Sequence, residues 1–238
     1  MSDSDGDGIA LYDSLDGQVA LVTGANRGIG AETARRLADL GATVYAGSRS
    51  GANETPEGTR RVLLDVTQEG DIEAVVDGVY EEAGRLDVLV NNAGVGEFGD
   101  DLVAEPVSRI DRTLAVNLRG PMVLCKHAVP LLLQGDGGRV VNVSSGMGAL
   151  GEGMSGGSPS YRISKTGSNG LTVYLHGEYG SRGLIANSVC PGWVRTGMGG
   201  EGANRSVEEG AATPVWLARF APGSPGGAFW RKKERTDW

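Results

Sequence analysis

Tyr161 and Lys165 stand four residues apart in the run Tyr161-Arg162-Ile163-Ser164-Lys165. On a helix that spacing places both side chains on one face. A phenol has a pKa near ~10 and is a poor acid or base at neutral pH. A neighbouring ammonium favours the phenolate and brings the group toward the working range. The pair therefore reads as a proton-transfer device. Alone the pattern is common on ordinary helices, so its weight depends on what else the chain supplies.

A second device is Thr23-Gly24-Ala25-Asn26-Arg27-Gly28-Ile29-Gly30. Glycines here permit a tight turn and let backbone N–H groups approach a pyrophosphate at the start of the next helix. The spacing is G-x-x-x-G-x-G, unlike the G-x-G-x-x-G dinucleotide fingerprint. With 40 glycines in 238 residues the motif counts only because it lies between a strand and a helix. An NAD site usually carries an acid at the end of the second strand to bind the ribose 2′-hydroxyl. This chain has Ser48-Arg49 there. Arg49 and Arg27 suit a 2′-phosphate, which favours NADP(H) over NAD(H).

Hydrophobic runs predict strands over 19–22, 43–46, 61–64, 86–90, 139–143 and 184–189. Helices are predicted over 28–40, 68–83, 102–133 and 161–179, the third broken near Asn117 and Gly120. A last helix starts near Ser206, and 228–230 reads as a final edge strand. Strands alternating with helices predict an α/β fold: one domain of Rossmann type over 17–238, with a doubly wound parallel sheet. Ligands then bind at the carboxyl ends of the strands. Asn91-Asn92-Ala93-Gly94, Ser144-Ser145 and the segment 191–196 all follow predicted strands, so they should share one crevice with the glycine turn.

With these motifs in this order, the sequence resembles the short-chain dehydrogenase/reductase family over about residues 17–231, near its carbonyl-reductase-like branch. The resemblance implies about seven strands in the order 3-2-1-4-5-6-7. It implies a catalytic tetrad of Asn117, Ser145, Tyr161 and Lys165, with Ser144 as the alternative serine. It also implies hydride transfer to a carbonyl, Tyr161 giving the proton and Ser145 fixing the oxygen. Lys165 would lower the Tyr161 pKa and hold the nicotinamide ribose, and Asn117 would support a proton-relaying water. Cofactor contacts implied along the cleft are Gly24, Asn26, Arg27, Gly28, Ile29, Gly30, Ser48, Arg49, Asp65, Val66, Asn92, Ala93, Gly94, Tyr161, Lys165, Pro191, Gly192, Val194 and Thr196. Met147 and Trp193, with Ser145 and Tyr161, are candidates for the substrate pocket. Trp193 borders substrate or packs against the following loop, and the sequence leaves both readings open.

Composition bounds the partners. The net charge of -8 disfavours nucleic acid and anionic membranes. Only four of 22 basic residues are lysine. That bias suits a saline habitat or an arginine-rich genome equally. No apolar run is long enough to span a membrane, and the start lacks a signal-peptide pattern, so a cytoplasmic enzyme is expected. Cys125 and Cys190 form no CxxC pair, and His127 and His176 have no metal-ligand spacing, so no metal is expected. Residues 1–16 hold five aspartates and no Lys or Arg, an acidic extension expected to be disordered over its first eight residues. Asp3, Asp5, Asp7 and Gly8 imitate a calcium loop, but Ser14 replaces its final glutamate.

The expected function is NADPH-dependent reduction of an aldehyde, ketone or quinone. The alternatives are an NAD-dependent alcohol or sugar dehydrogenase, or a non-catalytic dinucleotide sensor. A small-molecule substrate is the expected partner, and the chain is a monomer or a homo-oligomer.

Overall fold

The computed structural model describes residues 9–49 and 55–238. The expected disorder of the first eight residues, and the calcium-loop imitation within them, lie outside these. Eight strands form one sheet: β1 (Val19–Thr23), β2 (Thr43–Ser48), β3 (Thr59–Leu63), β4 (Val88–Asn91), β5 (Arg139–Val143), β6 (Ile185–Cys190), β7 (Ala228–Arg231) and β8 (Glu234–Thr236). Their order is β3-β2-β1-β4-β5-β6-β7-β8. All neighbours are parallel except β7 and β8. The seven-strand order expected from the family holds, with one strand added.

That addition corrects the reading of 228–230 as the edge. β7 lies inside the sheet and β8 is the edge. β8 is Glu-Arg-Thr, too short and polar to read as a strand. It pairs because the turn at Lys232 and Lys233 folds it back onto β7.

Alternation along each strand feeds two cores. Ala20 and Val22 of β1 join one cluster, Val19 and Leu21 the other. The first core lies under α1 (Gly28–Asp39) and α6 (Val207–Ala218), which pack on each other. The second lies under α2 (Glu69–Ala83), α4 (Gly120–Leu132) and α5 (Pro159–Tyr179). A sheet covered on both faces needs apolar residues at successive positions, which is why the central strands read as unbroken apolar runs.

The third helical region differs from its expectation. α3 (Val107–Leu114) begins after Pro106, because the Asp101 carboxylate accepts the N–H groups of Val103 and Ala104 at 3.0 Å each and makes a turn of the preceding residues. Asn117 does not break the helix. It sits in a π-helical turn, Ala115–Arg119, and Gly120 continues into α4. Such a turn inserts one extra residue and re-aims a side chain without ending the helix.

Residues 9–16 pack on the domain. Ile9, Leu11 and Leu15 are buried in the first core, and Leu11 bridges to Phe220. The buried Arg139 guanidinium lies 5.0 Å from the Tyr12 ring centroid. It donates to the carbonyls of Ala218 and Gly137 and to Gln18.

Candidate active site

A cleft of about 1460 Å³ opens at the carboxyl ends of the strands. Its floor is the turn between β1 and α1. Gly24 and Gly28 have φ of +64° and +56°, a region disfavoured for other residues. A Cβ on Gly30 would collide with the Asn92 amide and the Gly24 carbonyl. Asn92 braces this turn, donating to the carbonyls of Thr23 (2.9 Å) and Gly24 (3.2 Å). Arg27 caps α1 with extended backbone and no side-chain bond, and no acid lies in the first helical turn. The first N–H groups of α1 thus have no capping side chain, and glycine keeps the approach clear. These features fit a dinucleotide pyrophosphate.

At one wall of the cleft stand Ser48, buried at the end of β2, and the exposed Arg49 beyond it. Asp65 and Val66 also line the cleft. The Asp65 carboxylate accepts from Thr67 N–H (2.9 Å) and Oγ1 (2.8 Å). Ala93 and Gly94 run along the middle of the cleft. Asn91 lies behind the cleft and donates to Asn142 at 2.8 Å, tying β4 to β5. Pro191, Gly192, Val194 and Thr196 line the far wall, and Thr196 approaches Gly28 so closely that a Cβ there would sit 3.2 Å from its methyl. Asn26 and Ile29 complete the glycine floor.

The proton-transfer groups meet deeper in. Tyr161 is on α5 and Ser145 follows β5; both line the cleft, and the Ser145 hydroxyl is near enough to favour the Tyr161 phenolate. Ser145 also accepts the Met147 N–H at 3.1 Å. The Ser144 hydroxyl is committed to the Lys165 carbonyl at 3.2 Å, and Ser145 is the serine that acts on the Tyr161 phenol. The Lys165 ammonium lies 5.7 Å from the Tyr161 ring centroid and donates to the Val143 carbonyl at 2.8 Å.

The expected acidification of Tyr161 by Lys165 is not what this arrangement produces. Burial pushes the phenol up to about 12, only partly opposed by the Ser145 hydroxyl. Burial likewise pulls Lys165 down to about 8. Both shifts have one cause: a low-dielectric site penalises whichever form carries charge.

Asn117 does not line the cleft; it is buried behind it. Its carboxamide clamps Val95, accepting the N–H and donating to the carbonyl at 2.8 Å each. It also donates to Ser164 Oγ at 3.1 Å. Gly94 lies beside both Asn117 Oδ1 and Lys165 Nζ, so the four tetrad residues converge around one strand end. Trp193 sits half-exposed at the rim, its indole N–H donating to the Gly199 carbonyl at 2.8 Å. It lines the cleft and is bonded to the following loop.

The profile of the short chain dehydrogenase family matches residues 18–206. The chain belongs to that family. Among its relatives is the 3-oxoacyl-acyl-carrier-protein reductase of Thermotoga maritima, 35% identical, covering 87% of this chain and 85% of that one. The cis-4-hydroxycyclohexanecarboxylate dehydrogenase of Sinomonas cyclohexanicum is 38% identical, covering 75% and 74%. The NADPH-bound carbonyl reductase from chicken fatty liver superposes with a TM-score of 0.85 at 26% identity, covering 94% of this chain and all of that one.

Several groups of this short-chain dehydrogenase's site were not singled out from sequence. Phe98 packs edge-on against Tyr161 at 5.2 Å between centroids. Glu105, nearly fully buried, accepts the N–H (3.1 Å) and hydroxyl (2.5 Å) of Ser160 and so anchors the start of the helix carrying Tyr161. Arg231 and Glu152 form an ion pair in the cleft wall at 2.5 Å. Cys190, expected to be plain packing, is buried but borders the cleft and accepts the Gly146 N–H at 3.2 Å. Phe98 and Glu105 carry no local signal; their roles come from loops meeting in space. Among the described residues no group of metal-ligating side chains occurs and no helix is long and apolar enough to cross a membrane.

Proposed function

We propose that this oxidoreductase reduces an aldehyde, ketone or quinone to an alcohol with NADPH, using Tyr161 as the proton donor. The observation that carries the reading is that Ser145 and Tyr161 open on the same cleft as the glycine turn, with Lys165 beside the Tyr161 ring. Bound NADPH would supply the hydride. Gly24, Gly28 and Gly30 would admit its pyrophosphate to the N-terminus of α1. Arg49 and Arg27 would take the 2′-phosphate, with Ser48 offering no charge against it.

Ser145 orients the carbonyl oxygen, and charge developing there draws the Tyr161 proton. A phenol held near a pKa of about 12 keeps that proton until it is needed. Lys165, at the end of the cleft nearest Val143, is placed to bind the nicotinamide ribose and to return a proton to Tyr161. Asn117 acts one step back, fixing Val95 and hence the strand end that faces the cofactor.

The test is NADPH consumption over a panel of aldehydes, ketones and quinones, repeated with NADH. Turnover with NADPH at a kcat/KM well above that with NADH supports the reading. Preference for NADH with sugars or alcohols replaces it with the NAD-dependent dehydrogenase. Tight binding of NADPH with no turnover across the panel replaces it with a dinucleotide sensor.

A further inference from the structure

Arg231 is the last residue of β7 and pairs in register with Cys190 of β6. Its guanidinium lies over Gly146, where a Cβ would come within 2.8 Å of Nη2, so it stands one residue from Ser145. Glu152 holds Nη2 at 2.5 Å from the loop between β5 and α5. The arginine side chain is 33% exposed and lines the main cleft. It also lines a second cavity of about 660 Å³, which shares Gly192, Trp193 and Arg231 with the first.

That second cavity carries Arg205, Lys232 and Lys233 as well. Arg205 is committed to the carbonyls of Pro191 (2.7 Å) and Glu209 (2.9 Å). Lys232 and Lys233 are exposed and enter no ion pair among the described residues. A chain of net charge -8 with four lysines thus places two of them, adjacent, in the cavity that shares Arg231 with its cleft. Their backbones add a second argument. Both have positive φ, 54° and 67°, in a two-residue hairpin turn that glycine or asparagine would make with less strain. Turn chemistry therefore does not account for lysine at either position, whereas the charge they display does.

We propose that Arg231 is a specificity residue that binds an anionic group, carboxylate or phosphate, carried by the carbonyl substrate, and that the Lys232–Lys233 turn draws this anion toward the cleft. The inference rests on the oxidoreductase reading above and names its substrate class. Ser145 and Tyr161 hold the carbonyl end; Arg231 holds the charged end. Glu152, 44% exposed on a glycine-rich loop, keeps the guanidinium oriented and yields to the substrate anion. Acidic groups facing the lysines, Glu209 in the cavity and Glu234 after the turn, limit the local field but do not neutralise it.

The experiment compares kcat/KM, at saturating NADPH, for oxo acids, oxo phosphates and their neutral esters or alcohols. The readout is the anion-to-neutral ratio. The wild type should favour the anion by about tenfold or more, as a charge-assisted contact implies. Carboxylate and phosphate arms identify which anion fits. Arg231→Gln should bring the ratio close to one. Lys232→Ser with Lys233→Ser should lower it at low ionic strength and not at high, where screening already removes steering. Arg182→Gln, an equal charge change just before the start of β6, whose far end pairs with Arg231, is the control and should leave the ratio alone. A wild-type ratio at or below one overturns the proposal. So does an Arg231→Gln variant that keeps the ratio, or loses both substrate types by the same factor. Absence of turnover on every carbonyl with either nicotinamide instead removes the oxidoreductase reading, and the anion site with it.

Discussion

The Lys165 ammonium points its hydrogen bond at the Val143 carbonyl, 2.8 Å away, while the Tyr161 ring centre lies 5.7 Å from it. The two groups of the Tyr-Lys motif are neighbours without being bonded. Burial therefore dominates each of them, raising the phenol to about 12 and lowering the amine to about 8.

The first consequence concerns direction and pH. Reduction uses the protonated phenol and is expected to vary little between pH 6 and 8. Alcohol oxidation uses the phenolate and is expected to rise with pH into the alkaline range. Profiles of kcat/KM in both directions check this. An oxidation profile that levels off below pH 7 would mean a phenol far more acidic than its burial allows. Tyr161→Phe should retain NADPH binding, read by fluorescence, and lose roughly a hundredfold or more in kcat.

Lys165 also links stability to pH. An unfolded lysine holds its proton up to about pH 10.5, whereas folded Lys165 releases it near 8. Between those values the unfolded chain binds more protons, so this group makes stability rise with pH. Below about pH 8 both states are protonated and the burial penalty, about 3 kcal/mol, is fully expressed. Lys165→Met should flatten the rise in urea-unfolding free energy between pH 8 and 10.5. Parallel curves for the two proteins would contradict the assignment.

Arg49 stands exposed beyond the buried Ser48. Arg49→Ala should lower the ratio of NADPH to NADH kcat/KM by about ten- to a hundredfold, the loss of one or two hydrogen bonds to a charged group. Arg27→Ala should lower it further in combination. Equal losses with the two cofactors would move both arginines away from a 2′-phosphate.

Asn117 makes both bonds to the Val95 backbone at 2.8 Å and is 1% exposed. Asn117→Ala strands a part-buried N–H and carbonyl of Val95, and should cost about 1–3 kcal/mol of stability. Its KM for cofactor should rise, because Gly94 and Val95 line the cleft. Unchanged melting with unchanged KM would leave Asn117 without the clamping role.

Local chemistry and order along the chain made much of the protein readable in advance. Alternation of apolar strands with helices gave the parallel sheet, and every proposed cofactor residue from Gly24 to Thr196 lines the cleft. Those positions were readable because a Rossmann sheet gathers its strand ends at one edge, so sequence position becomes spatial position. The expected helix break at Asn117 is instead a π-helical turn within a continuous helix, and its partner, Val95, depends on how α3 and α4 lie against β4.

What only the tertiary structure decided falls where distant segments meet. The sequence could place a lysine four residues after a tyrosine; it could not say that burial would outweigh their mutual field. The family resemblance preferred Ser145 to Ser144, but residue order could not show that Ser144 would be committed to the Lys165 carbonyl. It could not bring Arg231 to Gly146, or fold β8 back on a turn of two lysines. Each of these depends on desolvation or on contacts between segments far apart in the chain, and such energies have no signature in local residue order.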